Sequence, residues 1–312
     1  MPKTSKIAFV GEALIELIAP SLPGDAKLNV AGDTLNAAIY LRRALPDPHS
    51  VHFVTALGTD RMSEQMIAFM QAEGVQTDAI ERYDGLLPGL YSISNDPTGE
   101  RNFSYWRANS AARRMFQRGD TCDFRMLDGF DVIFMSAISL AVLPARVRAS
   151  LLDWIAMRRQ DNVLFAFDSN YRPTLWEDAD TARGTVARAW SLCDIALPSV
   201  DDEIALFGGQ EADVLDRFSK LTGCKGALKR GENGPVAIND DAGCYPDFPT
   251  ADNVVDTTAA GDSFSGGFLG SYLQQGSVSK AMALGHNFAS AVIGHHGAIV
   301  PRSYWDRTFK PV

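Results

Sequence analysis

The chain has 312 residues, a formal net charge of −9 and an isoelectric point near 5.1. Hydrophobic residues at 46% and charged residues at 21% make an ordinary globular balance, and the length allows one large α/β unit with a smaller appendage. The acidic balance argues against a general nucleic-acid binder, which needs a basic face for phosphates; a small anion held by local arginines stays open.

Along the chain, short apolar runs alternate with amphipathic stretches of helical length. Ile7–Val10 reads as a buried strand, Leu14–Val30 as extended chain and turns, and Leu35–Leu45 as a helix. Strand Val51–Ala56 follows, then helix Ser63–Glu73 closed by Gly74, then a second helix-free segment, Gly89–Arg107. Strands Val132–Met135, Val163–Phe167, Ile195–Leu197 and Ala227–Leu228 alternate with helices Ala145–Arg159, Ala182–Cys193 and Val214–Thr222. A last helix covers Asp262–Gln275. The alternation predicts the α/β class: a three-layer α/β/α sandwich with a mostly parallel central sheet and right-handed crossovers.

The two helix-free segments are expected to form a small antiparallel sheet projecting from the main body and acting as a lid. With no internal repeat and no low-complexity linker, a single domain over 1–312 is expected, with lid segments near 14–30 and 89–107 inserted in it. In the second segment Phe103, Tyr105 and Arg107 share one strand face and Trp106 points to the other. A guanidinium beside a phenol suits an anionic, hydroxylated ligand; an exposed strand with a solvated arginine is an equal alternative.

Cys122, Cys193, Cys224 and Cys244 are scattered without a C-x-x-C pair and read as reduced thiols. His295 and His296 are adjacent and point apart, a poor metal pair. The start of the chain passes from Met1–Lys6 straight into a strand, without the apolar core of a signal peptide. The longest apolar stretch, Val132–Leu143, is broken by Ser136 and Ser139 and is too short for a bilayer. A soluble cytoplasmic protein is expected, with neither nucleic acid nor membrane as partner.

The segment Asp256–Phe268 carries the most chemistry. Ala259, Ala260 and Gly261 leave the backbone uncovered just before a helix, so their N–H groups and the helix dipole make an anion site suited to a phosphate in transfer. Asp262 falls in the first turn beside it. The dipole is expected to lower its pKa and make it a weak base, tolerable in phosphoryl transfer because positioning outweighs proton abstraction there. From the residues alone, a helix cap with close packing is an equal reading. In Lys229–Gly234, Gly231 and Gly234 suit a turn near a nucleotide, with a plain hairpin into Pro235–Ile238 as the favoured reading. In Ala31–Asn36, Asp33 and Asn36 offer partners for sugar hydroxyls, while Asp33 or Thr34 as N-cap of the following helix is the better reading. Walker, H-R-D, G-x-G-x-x-G, G-x-S-x-G and H-E-x-x-H motifs are all absent from the sequence.

Together these pieces resemble the ribokinase-like (PfkB) family of carbohydrate kinases over nearly the whole chain. Asp256–Phe268 is similar to the family's C-terminal signature D-T-T-G-A-G-D-x-F-x-x-G-F, Ala31–Leu45 to its N-terminal signature, and Gly58–Asp60 with Gly74–Asp78 to the region that follows. Within the family, Gly32–Asn36, Leu87–Tyr91, Gly99–Arg101 with Tyr105–Arg107, Asn170–Trp176 and Thr258–Asp262 resemble the members acting on 2-keto-3-deoxygluconate. The resemblance implies ATP, arriving with Mg2+, as phosphoryl donor and a sugar acid phosphorylated at its 6-hydroxyl. It implies that Asp262 is the base, with Ala259, Ala260 and Gly261 forming the anion hole. It places Gly32, Asp33, Asn36, Tyr91, Tyr105, Arg107, Arg172 and Asp262 on the substrate. On the nucleotide side it places Asn170, Arg172, Lys229, Gly231, Gly234, Ala259, Gly261 and Asn287. A carboxylate substrate calls for guanidinium partners, which Arg107 and Arg172 supply.

The chain departs from the family pattern at three places. Ala31 and Ala259 replace glycines, so Ala31 must keep φ negative or tolerate strain. The N-x-x-E motif associated with the magnesium shell stands as Ser199–Asp202, and no metal ligand is assigned. A fructokinase or ribokinase acting on a neutral sugar, and a non-catalytic sugar or nucleotide sensor, are the competing functions. A homo-oligomer formed through the lid sheet is the expected assembly.

Overall fold

The computed structural model describes residues 5–18, 26–95, 101–240, 245–251 and 253–309. In chain order it begins β1 (Lys6–Val10), β2 (Leu14–Ile18), β3 (Lys27–Ala31), α1 (Asp33–Ala44), β4 (Ser50–Gly58), α2 (Arg61–Ala72) and β5 (Ile80–Tyr83). There follow β6 (Gly89–Asn95), β7 (Arg101–Trp106), the short β8 (Gln117–Arg118) and β9 (Thr121–Cys122), β10 (Val132–Ser136), α3 (Ala137–Val142) and α4 (Ala145–Arg158). Next come β11 (Leu164–Asp168), α5 (Ala179–Leu192), β12 (Ile195–Leu197), α6 (Val200–Phe207), α7 (Glu211–Ser219), β13 (Lys225–Leu228) and β14 (Val236–Ile238). The chain closes with α8 (Ala260–Gln275), α9 (Val278–Ile293) and α10 (Arg302–Thr308).

Eight strands form the main sheet in the order β14-β13-β12-β11-β10-β1-β4-β5, parallel throughout except for β13–β14. Its strands are apolar on both faces because both faces are covered. Ala8 and Val10 of β1 point into a core shared with α3, α4, α5 and α7, whereas Ile7 and Phe9 point into one shared with α1, α2, α8 and α9. The predicted three layers are therefore present.

Among the described residues, β5, β8, β9, α6, α9 and α10 carry no prediction. Nor does α3, which resolves the interrupted apolar run. Ser139 N–H donates to Ser136 Oγ (3.2 Å) and Ser136 N–H to Ser139 Oγ (3.1 Å), so the two serines that break the run cap a helix.

The segments at 14–30 and 89–107 form the expected small sheet, order β3-β2-β6-β7, but it is mixed rather than antiparallel. β2–β3 and β6–β7 are antiparallel hairpin pairs, and β2 pairs with β6 in parallel, Glu16 opposite Tyr91. Residues 19–25 and 96–100 of these segments, Gly99 included, lie outside the described residues, as does Cys244. Among the described residues no helix is long and apolar enough to cross a membrane.

From β1 the chain moves to β4 on one side and later to β10 on the other, so strand order reverses between β1 and β10. In open α/β sheets such a reversal leaves a crevice beyond the carboxyl ends of the strands, where ligands bind. Gly11–Glu12 after β1, Ser136 ending β10 and Asp168 ending β11 all stand at that edge.

Candidate active site

Helix α8 starts abruptly. Its N-cap, Ala259, sits in the left-handed region at φ 61, ψ 15, and the first intrahelical bond runs from Ser263 N–H to Ala259 O (2.9 Å). The N–H groups of Gly261 and Asp262 precede that bond and have no helical acceptor. Lys229 Nζ lies 3.5 Å from where a Cβ on Gly261 would be, so an ammonium flanks the uncovered backbone. Amides, dipole and ammonium together form an anion site.

Asp262 is held from across the fold. Asn36 Nδ2, one turn into α1, donates to Asp262 Oδ2 at 2.9 Å. Burial pushes the Asp262 carboxyl up to about 8, and the neighbouring charges of Asp33 and Asp168 act in the same direction. Asn36 and Lys229 pull it down, by less. The expected lowering by the helix dipole is thus overturned: desolvation and two like charges outweigh a helix terminus. A carboxylate with a pKa near 8 is matched to proton abstraction near neutral pH.

Asp33 is the first residue of α1 rather than its cap. Gly32 occupies the N-cap without a side-chain bond, and a Cβ there would stand 2.4 Å from the Glu12 carbonyl oxygen, so the site admits only glycine. Freed from capping, Asp33 Oδ2 accepts from Ser136 Oγ (2.5 Å) and Asn170 Nδ2 (3.1 Å). Burial raises its carboxyl as well. Asn170 reaches it from a strained backbone, φ 22, of the kind found at functional sites. Asp168, almost fully buried, accepts from Lys229 Nζ (2.5 Å) and Ser265 Oγ (2.7 Å), which ties β11, β13 and α8 together.

On the small sheet, Tyr91, Phe103 and Tyr105 stack along one face, with ring centroids 5.8–6.5 Å apart. The Tyr91 hydroxyl donates to Glu16, which also accepts from Asn29 Nδ2 (2.8 Å), and the charge of Asp262 reaches Tyr91. Arg107, just past β7, is not solvated. Its Nε donates to Glu12 Oε2 at 2.7 Å, Nη2 donates to the same oxygen, and the pair is nearly excluded from solvent. Tyr105 is 55% exposed, so the predicted sharing of one face by Phe103 and Tyr105 holds while Arg107 turns inward.

The remaining candidates separate by position. Arg172 is half-exposed and pairs with Asp202 (3.3 Å), whose carboxyl is raised by burial against the pull of Arg172. Gly231 and Gly234 bound the turn of the β13–β14 hairpin at φ 54 and 70, as the favoured reading had it. Phe248 packs over Gly234 and against His286, next to the exposed Asn287 on α9. Ala31 ends β3 paired with Leu14, outside the positive-φ residues, and needs no strain. Glu12, Glu16, Ser136, Asp168 and Ser265 escaped the sequence reading. The first, third and fourth were findable, because each stands at the carboxyl end of a parallel strand. Among the described residues no three His, Cys, Asp or Glu side chains are grouped to hold a metal ion.

The sequence matches the pfkB family carbohydrate kinases over residues 4–304. The chain belongs to this family. Its curated relatives include the 2-dehydro-3-deoxygluconokinases of Dickeya dadantii, 42% identical over 306 residues (96% of this chain, 97% of that one), and of Haemophilus influenzae, 40% identical over 302 residues (95% and 96%). The Escherichia coli K12 enzyme of the same name is 39% identical over 306 residues (96% and 98%). Among solved structures, aminoimidazole riboside kinase from Salmonella enterica, complexed with its riboside and an ATP analogue, superposes with a TM-score of 0.78 at 21% identity (97% and 98% covered). Fructokinase from Xylella fastidiosa with bound ATP gives 0.76 at 22% (94% and 93%). At these identities the structural likeness carries the fold. In this pfkB-family chain the fold brings Asp262, its small-residue loop and the carboxylates of α1 and β11 to one crevice.

Proposed function

We propose that the chain, acting as one ribokinase-like domain over 1–312, transfers the γ-phosphate of ATP to the 6-hydroxyl of 2-keto-3-deoxygluconate. The observation that carries the mechanism is the placing of Asp262 beside the free N–H groups of Gly261 and Asp262 and the ammonium of Lys229. The substrate comes from the activity named for its full-length relatives at 39–42% identity.

In this reading Asp262 orients the acceptor hydroxyl in line with the γ-phosphorus and takes its proton as the P–O bond forms. The α8 N-terminus with Ala259, Ala260 and Gly261, together with Lys229, stabilises the charge on the transferring group. Asn36 fixes the Asp262 rotamer, and Gly32, Asn36, Tyr91 and Tyr105 face the sugar. Arg107 and Arg172 meet the carboxylate. Asn170, Gly231, Gly234 and Asn287 lie on the nucleotide side. Magnesium, bound with the nucleotide, would supply charge neutralisation on the phosphates. Asp168 and Asp202, carboxylates otherwise occupied by Lys229, Ser265, Ser169 and Arg172, fit its water shell.

The small sheet acts as the lid and, through its other face, as the homo-oligomer contact. Leu28 and Trp106 stand 54% and 61% exposed on that face. Measured mass in solution tests the assembly, and a monomer at micromolar concentration rejects it. With ATP as co-substrate, the reading places the enzyme in the cytoplasm.

One observation favours a second reading, a neutral-sugar kinase: Glu12 already neutralises Arg107. A coupled ADP-release assay with Mg-ATP separates the two. Turnover on 2-keto-3-deoxygluconate, absent on fructose and ribose, supports the first; turnover on fructose or ribose alone replaces it with the second.

A further inference from the structure

We propose that Glu12 is a positioning residue that aims Arg107 at the substrate carboxylate; the inference rests on the reading of Arg107 given above. Glu12 follows β1 at the strand-order reversal, and its side chain is 1% exposed. Its Oε2 takes both Arg107 Nε and Nη2, which leaves the Nη1 edge of the planar fork unpaired by Glu12. Burial pushes the Glu12 carboxyl up, and the Arg107 charge and the Ser110 hydroxyl beside it pull it down, so its charged form depends on Arg107 as much as Arg107 depends on it.

Glu12 also touches both ends of the β6–β7 hairpin. A Cβ on Gly89, the first residue of β6, would stand 2.7 Å from Glu12 Oε1 and 3.1 Å from Arg107 Cβ. The hairpin thus returns to the main sheet through one buried ion pair. The hydrogen bonds of the Arg107 side chain among the described residues both go to Glu12 Oε2, so without that oxygen nothing fixes the plane of the guanidinium. Removal of the Glu12 charge would by itself draw an anion in more strongly; loss of aim is inferred to outweigh it, because a guanidinium free to rotate loses the geometry of a bidentate pair.

The test compares the sugar acid with its neutral analogue, the 3-deoxyhexulose that carries CH2OH in place of the carboxylate. Glu12→Gln is expected to raise KM for the acid about tenfold or more, with kcat changed less than fivefold and the neutral analogue little affected. Arg107→Ala is expected to lose the acid by a larger factor and to be partly restored by tens of millimolar guanidinium, whereas Glu12→Gln/Arg107→Ala is not restored. A purely structural glutamate would move neither the acid-to-neutral ratio nor the rescue. An unchanged or lowered KM for the acid in Glu12→Gln, or equal rescue in both backgrounds, overturns the positioning role while leaving Arg107 in place. Equal losses on acid and neutral substrate in Arg107→Ala overturn the carboxylate reading and the inference with it. If Glu12→Gln fails to fold, Glu12→Asp, which keeps the charge but withdraws it by one methylene, is expected to show the same selective KM rise; full wild-type selectivity in that variant counts against the proposal.

Discussion

Asn36 Nδ2 donates to Asp262 Oδ2 at 2.9 Å across 226 positions of sequence. The first turn of α1 and the first turn of α8 are thereby held face to face, and the same turn of α1 brings Asp33 close enough to raise the Asp262 carboxyl. Base strength at this site is a product of helix–helix packing, with Gly266 and Gly270 of α8 resting on α1 close enough that a Cβ would overlap it.

Asp262→Asn is expected to lower kcat by about a thousandfold, the range for a positioned general base, with little change in KM for ATP. Retained turnover within tenfold of wild type in the coupled assay would remove Asp262 from the mechanism. The same variant should be more heat-stable at alkaline pH. The folded carboxyl titrates near 8, above its unfolded value, so the folded state binds more protons and stability falls as pH rises towards 8. Asn cannot ionise and escapes that loss. Thermal unfolding at pH 8.5 should show a gain of a few degrees over wild type, with none at pH 4.

Asp33→Asn preserves the acceptor for Ser136 and Asn170 while removing the largest charge that raises Asp262. The rising acid limb of the pH–rate profile should therefore move to lower pH by about half a unit or more. An unmoved limb would mean that Asp33 does not act on the titrating group.

Lys229 and Asp168 form a nearly buried pair. Lys229→Met strands the Asp168 carboxylate beside Asp33 and Asp262, and a loss of about 3 kcal/mol in denaturant unfolding is expected. Lys229→Met should also raise KM for ATP through loss of the ammonium at the anion site, and adding Asp168→Asn should recover much of the stability while that rise in KM persists. Recovery of both together would argue that Lys229 has only a structural role.

Ala259 holds a left-handed conformation that costs an L-residue with a Cβ about 1–2 kcal/mol. Ala259→Gly should leave urea unfolding unchanged or shift it by up to about 1 kcal/mol towards stability, the relief being set against the greater entropy of an unfolded glycine. Ala259→Val, β-branched at the same φ, should cost more than 1 kcal/mol and lower kcat through displacement of Asp262.

Local chemistry was legible where residues act on their neighbours. The apolar strands follow from two covered faces, the small-residue loop before α8 from the backbone it leaves open, and the pairing of Phe103 with Tyr105 from the period of a strand. Helix α9 was legible too and was missed: Ser277 Oγ caps it by accepting from Lys280 N–H, and Val278, Ala281, Met282, Phe288 and Val292 recur along its buried face at helical spacing. Only the tertiary structure decided what depends on distant partners. It pairs β2 with β6 in parallel, closes Glu12 on Arg107 across 95 positions, and sets Asp33 and Asp168 against Asp262. A helix dipole belongs to its own turn and can be read from it. Burial and the charges of other elements cannot, and at Asp262 they reverse the sign that the turn alone implies.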